Sequence, residues 1–215
     1  MEALQDGVQT LNQDAVSSLS GEVQRLHRLI DDLHQLSLSD VGALNYQWQA
    51  VDINETTRTF LQRAEHRIDA AGLTLDSNLP ATPVTISGDQ QRLEQLLGIL
   101  LQNTIAYTHK DGTLTVSVAS NDNDVCLCWQ DSAPGVSATD LPHLFDPLYR
   151  AEQSRNRERG GAGLGLAIAA RIVKAHNGEI VATHADAGGI ALTITLPRSQ
   201  REATHASSLT PSDIV

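Results

Sequence analysis

Between residues 73 and 196, the hydrophobic pattern alternates between the two-residue period of a strand and the longer period of a helix. The predicted strands are residues 73–79, 84–87, 113–119, 125–130, 179–184 and 190–196, and the predicted helices are residues 52–70, 89–107, 138–144 and 163–176. Helices and strands in this mixed order favour an α/β two-layer sandwich with antiparallel pairing in its sheet. A chain of 215 residues is long enough for one such domain and an appendage.

The core of this sandwich is predicted to be aliphatic, because 40% of the residues are hydrophobic but only 3% are aromatic. Cys126 and Cys128 lie two residues apart on a predicted strand, so both face the same side of the sheet. Their spacing is not that of a CxxC redox or zinc motif. We expect both to be small buried hydrophobes in a reducing compartment.

The charge balance argues against one class of partner. The net charge is −11, from 15 Lys and Arg against 26 Asp and Glu, so a polyanion is repelled on average and we expect no nucleic-acid partner. No apolar run approaches the roughly 18 to 20 residues that a membrane span requires, and the amino terminus does not resemble a signal peptide. We therefore expect a soluble, cytoplasmic chain.

Residues 1–45 carry a narrow hydrophobic seam of a different kind. Apolar residues recur at alternating intervals of three and four, at Val16, Leu19, Val23, Leu26, Ile30 and Leu33. This spacing is typical of a helical bundle or coiled coil. We predict an α-helical hairpin that pairs with a second copy as a dimeric four-helix bundle, the alternative being a hairpin packed on its own domain. The sandwich then spans residues 46–198, and residues 199–215, rich in Ser, Thr and Ala, are predicted to be a disordered tail.

A glycine-rich segment leads directly into the last predicted helix. Gly160, Gly161, Gly163 and Gly165 would each weaken a regular helix or strand by about 1 kcal/mol relative to Ala. They suit a backbone that must come close to another group. The exposed N–H groups and the dipole of a helix amino terminus favour a phosphate. A purely structural glycine loop is the alternative.

Two polar residues lie in apolar surroundings. Asp131 ends an apolar strand before a Pro–Gly turn, so it is either a turn residue or an acceptor aimed into a cavity. An ionised carboxylate accepts but cannot donate, which suits the exocyclic amine of a purine. Asn103 lies within an aliphatic helix, where an unsatisfied amide costs roughly 1 to 3 kcal/mol. Its oxygen suits Mg²⁺, whereas capping by neighbouring backbone is the alternative.

The order of these features resembles the sequence boxes of two-component sensor histidine kinases. The N box is matched by Asn103 and Tyr107, the first glycine box by residues 131–135, the F box by residues 144–150 and the second glycine box by residues 161–165. The resemblance covers about residues 52–197, and the upstream seam is similar to the second half of that family's dimerisation and phosphotransfer domain. Residues 26–40, 131–136 and 149–168 are most similar to a subgroup of envelope-stress sensors.

The resemblance implies a site for ATP and Mg²⁺. Asp131 would accept a hydrogen bond from the adenine amine, and Gly135 would let the backbone pass the base. Tyr107 would line the nucleotide, and Asn103 would hold Mg²⁺ against the triphosphate.

The resemblance also assigns the phosphate end of the site. Gly161, Gly163, Leu164 and Gly165 would surround the phosphates at the hinge of an ATP lid that spans about residues 137–162. Phe145 would anchor this lid. Arg150 would be the catalytic residue, because a fixed guanidinium neutralises charge that develops on the γ-phosphate.

Five positions depart from the family pattern. Ile99 replaces a usual polar residue and Ala106 a usual basic residue, which puts turnover in doubt more than nucleotide binding. Ala133, Leu148 and Ala162 replace a glycine, an aromatic residue and a hydroxyl residue. Ile99 also weakens the alternative of a gyrase, Hsp90 or MutL type ATPase, because those enzymes use a glutamate there to activate water.

The family's phospho-accepting histidine has no counterpart here. It lies in an H-E-x-R-T-P-like segment, and none of the eight histidines has that context. We therefore expect a fragment that binds ATP but cannot phosphorylate itself. Its parent would be a membrane-anchored homodimer that passes phosphate to a response-regulator receiver domain. A nucleotide-dead dimerisation module is the alternative.

Overall fold

The computed structural model describes residues 46–151 and 162–199, together with five isolated helical positions at 16, 19, 20, 23 and 30. The helices are α1 (Ile53–Ala70), α2 (Gln90–Tyr107) and α3 (Gly165–Ala175), with a short 3₁₀ turn at Leu141–His143. The strands are β1 (Gln49–Asp52), β2 (Thr74–Asn78), β3 (Thr85–Gly88), β4 (Thr113–Ser120), β5 (Asp124–Ser132), β6 (Glu179–His184) and β7 (Gly188–Pro197).

The predicted mixture of helices and strands is confirmed. Apart from its isolated helical positions, the predicted hairpin of residues 1–45 lies outside the described residues, as does the predicted tail beyond residue 199. The helix predicted over 138–144 is reduced to the 3₁₀ turn. None of the helices within the described ranges is long and apolar enough to cross a membrane.

The main sheet has five strands in the order β2-β4-β5-β7-β6, and β1 pairs with β3 in a separate two-stranded sheet. The expected antiparallel pairing is found between β4 and β5, β5 and β7, and β6 and β7, whereas β2 and β4 run parallel at one edge. The crossover between them contains β3 and α2, which allows the chain to return in the same direction. In the helical layer, α2 packs against both α1 and α3.

The alternation along β5 shows which face of the sheet carries the core. Val125, Leu127 and Trp129 are at most 1% exposed, and the Trp129 indole N–H donates to Thr104 Oγ1 on α2 at 3.0 Å. Asp131 continues this buried series, so it points to the same side as α2. Cys126 and Cys128 are free thiols at the half-buried positions in between, which corrects the expectation that both are buried in the core.

Polar side chains set where the helices begin. Asp52, where the first helix was predicted to begin, accepts hydrogen bonds from the N–H groups of Asn54 and Glu55 and thereby caps α1. Asp89 caps α2 through the N–H of Arg92 at 3.1 Å. The N-cap of α3 is Leu164, whose side chain makes no capping hydrogen bond. Consequently, the first N–H groups of α3 receive no capping bond from that residue.

Candidate nucleotide site

A cavity of about 480 Å³ lies between α2, the end of β5 and the segment that leads into α3. This volume is within the range of small-molecule sites in proteins. Seven of the nine predicted site residues line it, namely Asn103, Tyr107, Asp131, Gly135, Arg150, Gly163 and Gly165. Leu164 does not, because its side chain is 4% exposed and belongs to the hydrophobic core. Gly161 lies outside the described residues.

Asp131 is the buried anionic group of the cavity. Its side chain is 8% exposed, and its Oδ1 accepts a hydrogen bond from the Ile190 N–H at 2.8 Å. Burial raises the pKa of this carboxyl to about 6, and the Ile190 hydrogen bond opposes the shift. This hydrogen bond reaches a distant residue on the neighbouring strand and is not the local bond of a turn residue, whereas the position of Asp131 in the cavity lining agrees with the cavity interpretation.

A glycine that sequence reasoning missed makes room for this carboxylate. A Cβ atom on Gly189 would lie 2.5 Å from Asp131 Oδ1 and 2.1 Å from the Asp131 carbonyl oxygen. Any other residue at 189 would therefore displace the aspartate. The pair Gly188–Gly189 directly before a predicted strand was the available signal, since paired glycines there indicate a close backbone approach.

Asn103 lines the cavity from α2, one turn before Tyr107 on the same face of the helix. Its side chain is half-buried and makes no hydrogen bond to any described residue. The alternative in which neighbouring backbone satisfies this amide is therefore not observed within residues 46–151 and 162–199. An available amide oxygen beside a cavity fits a hard cation, although the same group also fits a hydrogen-bonding ligand.

The glycine before α3 has a structural reason in the protein itself. Gly163 has φ +76°, and a Cβ atom there would lie 2.6 Å from the carbonyl oxygen of Tyr149. Its own carbonyl oxygen accepts from the N–H of Leu148 at 2.9 Å. The alternative of a structural glycine therefore accounts for Gly163, which holds the F-box segment against the start of α3 while also lining the cavity.

Ile99 has a packing role that the family pattern did not indicate. Its Cγ2 lies 3.3 Å from the position of a Cβ on Gly165, so it fills the space beside the first turn of α3. Ala106 lines the cavity without contributing charge. Both departures therefore replace polar groups by apolar surface.

Residues 137–151 form one wall of the cavity. The Tyr149 hydroxyl donates to Asp140, and hydrogen bonds from Tyr149 and Ser137 lower the pKa of the Asp140 carboxyl. Phe145 is partly buried and packs against the core, and its role as the anchor of a lid stays a prediction. Arg150 lines the cavity and is half-buried, so the predicted catalytic guanidinium belongs to this wall. Sequence reasoning did not single out Asp140, because its role depends on the fold of this wall.

An α/β sandwich in which a buried carboxylate and a glycine-rich helix start line one cavity is typical of a nucleotide-binding ATPase domain. The chain belongs to the family described as "Histidine kinase-, DNA gyrase B-, and HSP90-like ATPase", which matches residues 88–200. The resemblance found in the four sequence boxes is confirmed, since the similar proteins are sensor histidine kinases. A nucleotide-dead module is not favoured.

Three comparisons describe this similarity. The chain is 47% identical over 197 residues to the signal transduction histidine-protein kinase BaeS of Escherichia coli K12, covering 92% of this chain and 42% of BaeS. It thus spans about two fifths of that relative. The solved chain of the Acinetobacter baumannii histidine kinase AdeS is 28% identical, with a TM-score of 0.76 over 91% of this chain and 90% of that solved chain. Histidine kinase ThkA, in complex with response regulator protein TrrA, shares the fold at 17% identity, with a TM-score of 0.70 over 87% of this chain and 52% of that chain.

Proposed function

We propose that this domain binds ATP with Mg²⁺ in the cavity and transfers the γ-phosphoryl group of ATP to a histidine, for relay to an aspartate of a response regulator. The observation that carries the proposal is the meeting of four separate sequence boxes around one cavity of about 480 Å³. A nucleotide has an amine donor at one end and an anion at the other. The lining offers an acceptor at Asp131 and a guanidinium at Arg150.

Asp131 would recognise the adenine base. Its ionised carboxylate only accepts, and the exocyclic amine of adenine donates, so the two groups are complementary. Gly135 lies close to this position, where a Cβ atom would be 2.8 Å from the Gly188 carbonyl oxygen. Tyr107 would line the base or sugar from α2.

Asn103 and the start of α3 would hold the phosphate end. The Asn103 amide fits a Mg²⁺ site because it lines the cavity and has no hydrogen-bond partner among the described residues. Bound Mg²⁺ would supply positive charge that neutralises the phosphates. Gly163 and Gly165 would bring backbone close to these phosphates, with Gly161 preceding them. Leu164 would contribute only its backbone, since its side chain is buried in the core.

Arg150 would stabilise the charge that develops during transfer, because a guanidinium held in a cavity wall needs little reorganisation. The two departures at Ile99 and Ala106 would slow turnover, because neither side chain can contact a phosphate or orient water. Binding of the nucleotide relies on other residues and would persist.

The partners follow from the same family membership. The ThkA complex with a response regulator supports a receiver domain as the phosphate acceptor after the histidine. The heptad seam at residues 16–33 supports a homodimer through a four-helix bundle. The chain covers 42% of BaeS, which supports a longer parent protein, and we propose that this parent is membrane-anchored and supplies the acceptor histidine.

Calorimetric titration of the chain with ATP and Mg²⁺ tests nucleotide binding. We expect micromolar to sub-millimolar affinity that is lost in Asp131→Ala and kept in Asp76→Ala, a matched change at an exposed aspartate on β2. An absence of heat at millimolar nucleotide would support the nucleotide-dead alternative instead.

A second experiment tests phosphoryl transfer. The chain would be extended by a bundle helix that carries an acceptor histidine, and incubated with ATP labelled at the γ-phosphate. We expect label on the extended chain and much less on its Arg150→Ala variant. Binding of ATP without any transfer of label would contradict the kinase assignment.

A further inference from the structure

His176 lies directly after α3 and is 2% exposed. Its Nε2 accepts a hydrogen bond from the backbone N–H of Asp89 at 3.0 Å, and its Nδ1 lies 2.8 Å from the carbonyl oxygen of Ile172. The Asp89 N–H can only donate and the Ile172 carbonyl can only accept. The ring is therefore neutral, with its proton on Nδ1.

This imidazole is also in contact with the segment that precedes β1. The rings of Tyr46 and Trp48 lie with centroids 5.7 and 5.1 Å from that of His176, and 5.5 Å from each other. Between them, the Gln47 N–H donates to Asp89 Oδ2 at 2.8 Å. We call these five residues, Tyr46, Gln47, Trp48, Asp89 and His176, the linker joint.

The linker joint holds a segment that has little burial of its own. Trp48 is 49% exposed and Gln47 is also exposed, so core burial does not account for the position of the segment. The fit around the imidazole is tight, because a Cβ atom on Gly88 would lie 3.0 Å from His176 Cδ2. The contacts of the Tyr46 and Trp48 rings and the Gln47–Asp89 hydrogen bond therefore attach residues 46–48 to the domain. The hydrogen bond from the Asp89 N–H to His176 holds Asp89 and the imidazole in the positions that these contacts require.

Protonation of His176 is incompatible with this arrangement. A proton on Nε2 would face the N–H of Asp89, so the hydrogen bond would be replaced by two opposed donors. Burial lowers the pKa of His176, while the Ile172 carbonyl and the Asp89 charge oppose that shift. The other charged or titratable groups at the joint are Arg92, whose guanidinium lies 5.9 Å from the centre of the Tyr46 ring, and Tyr46 itself.

Helix α3 connects the joint with the cavity. Its first residues, Gly165 and Leu166, line the cavity, and His176 follows its last residue. At 11 residues the helix is roughly 16 Å long. A segment attached to the end of α3 is thus tied to the same rigid element that forms one wall of the cavity.

We propose that His176 is a positioning residue: as a neutral imidazole it holds residues 46–48 against the end of α3, and its protonation releases them. Residues 46–48 join the α/β domain to residues 1–45. The orientation of that upstream region relative to the cavity would then depend on the protonation of one buried ring. The proposal goes beyond nucleotide binding and does not depend on the identity of the ligand.

Tryptophan fluorescence of the whole chain tests the release. The chain has two tryptophans, of which Trp129 is buried and bonded to Thr104, so a change limited to the joint comes from Trp48. We expect its emission to change on acidification with a midpoint below the ordinary histidine value of 6.5. Asp89 titrates below this range and Tyr46 above it, because the pKa of the first is lowered and that of the second is raised.

Two variants test whether the change in emission comes from protonation of His176 and is reported by Trp48. In His176→Gln the side-chain oxygen can still accept from the Asp89 N–H but cannot be protonated in this range, so the emission should stay constant on acidification. Trp48→Phe should abolish the change in the wild-type background. A change that persists in His176→Gln would overturn the proposal, as would a wild-type emission that stays constant on acidification until the domain itself unfolds.

If His176→Gln does not fold, hydrogen exchange of the unmodified chain tests whether residues 46–48 are released on acidification. After correction for intrinsic rates, the amides of Gln47 and Asp89 should lose protection by roughly tenfold below the midpoint, as expected for loss of hydrogen bonds of ordinary strength. The amide of Leu127 in β5 should keep its protection. Unchanged protection at Gln47 and Asp89 would contradict release, and a parallel loss at Leu127 would show global unfolding instead.

Discussion

The Asp131 carboxylate accepts a hydrogen bond from the Ile190 N–H at the place where the register between β5 and β7 shifts. The shift lies between Gln130 and Ser132. At this irregular point of the strand pairing, the side chain of Asp131 accepts the hydrogen bond from the backbone N–H of Ile190. β-Bulges commonly redirect a side chain beside a functional site. Here the irregularity fixes one carboxylate oxygen while the residue lines the cavity.

Replacing this carboxylate should stabilise the fold at neutral pH. Burial raises the pKa of Asp131 to about 6 from 3.8, so the folded state binds its proton more tightly than the unfolded state does. The stability from this group is therefore present below pH 3.8 and lost as the pH rises through about 6. Asp131→Asn keeps an acceptor for the Ile190 N–H, and should raise the free energy of unfolding at pH 8 by about 1 to 3 kcal/mol.

Urea unfolding at pH 4 and pH 8 measures this effect (roughly the two ends of the titration). The free energy of unfolding of Asp131→Asn should exceed that of the wild type at about pH 8 but be nearly equal to it at about pH 4. Asp76→Asn, at an exposed position on β2, should change stability little at either pH. A gain for Asp131→Asn that does not depend on pH would show that its cause is not the buried charge.

ATP affinity should fall as the pH decreases through about 6, because protonated Asp131 would present a donor to the adenine amine. Calorimetry over this range, corrected for buffer ionisation, measures the change. Inosine triphosphate has a carbonyl in place of the amine, and a carbonyl accepts from a protonated carboxyl. Its affinity relative to that of ATP should therefore rise at low pH. A constant ratio of the two affinities would remove Asp131 from base recognition.

Asn103→Ala should abolish the dependence of ATP binding on Mg²⁺. The Asn103 amide lines the cavity without a hydrogen-bond partner among the described residues, so its removal costs little stability. Titrations with and without Mg²⁺ should then give the same affinity for this variant. Asn78→Ala, at an exposed position on β2, should keep the wild-type dependence. An unchanged Mg²⁺ effect in Asn103→Ala would exclude this residue as a ligand.

The parts of the fold that depend on local chemistry could be predicted from the sequence. Asp52 and Asp89 cap the helices that were predicted to begin at these residues, because an N-cap is decided within one turn. The parallel pairing of β2 with β4 was missed, because it depends on how the intervening helix packs. The burial of Leu164 was missed for the same reason, since the direction of one side chain at a helix start is set by tertiary contacts.

In the site, too, features that depend on local chemistry could be predicted and features that depend on tertiary packing could not. Asn103 and Asp131 stood out because polar groups in apolar segments need an explanation, and both line the cavity. The contacts of Gly189 with Asp131 and of Gly165 with Ile99 join residues that are far apart in the chain. Sequence spacing carries no information on such approaches, so these packing roles required the structure.

Two glycine-to-alanine changes should have opposite effects on stability. Gly163 has a left-handed backbone, and a Cβ there would lie 2.6 Å from the Tyr149 carbonyl oxygen. Gly163→Ala should therefore lower the free energy of unfolding by about 2 to 4 kcal/mol, or displace the F-box segment. Gly98 lies inside α2 with no atom within 4 Å of a Cβ position, so Gly98→Ala should raise it by about 1 kcal/mol.

Urea unfolding of both variants measures the change in the free energy of unfolding. ATP titration then shows whether Gly163→Ala strains the fold or displaces the F-box segment. If the segment moves instead of straining, stability is largely kept but ATP affinity falls, because Tyr149 and Arg150 line the cavity from that segment. Gly98→Ala should leave affinity unchanged, since Gly98 does not line the cavity. A Gly163→Ala variant with both wild-type stability and wild-type affinity would contradict the argument that Gly163 supports this wall, because neither the strain nor the displacement would then exist.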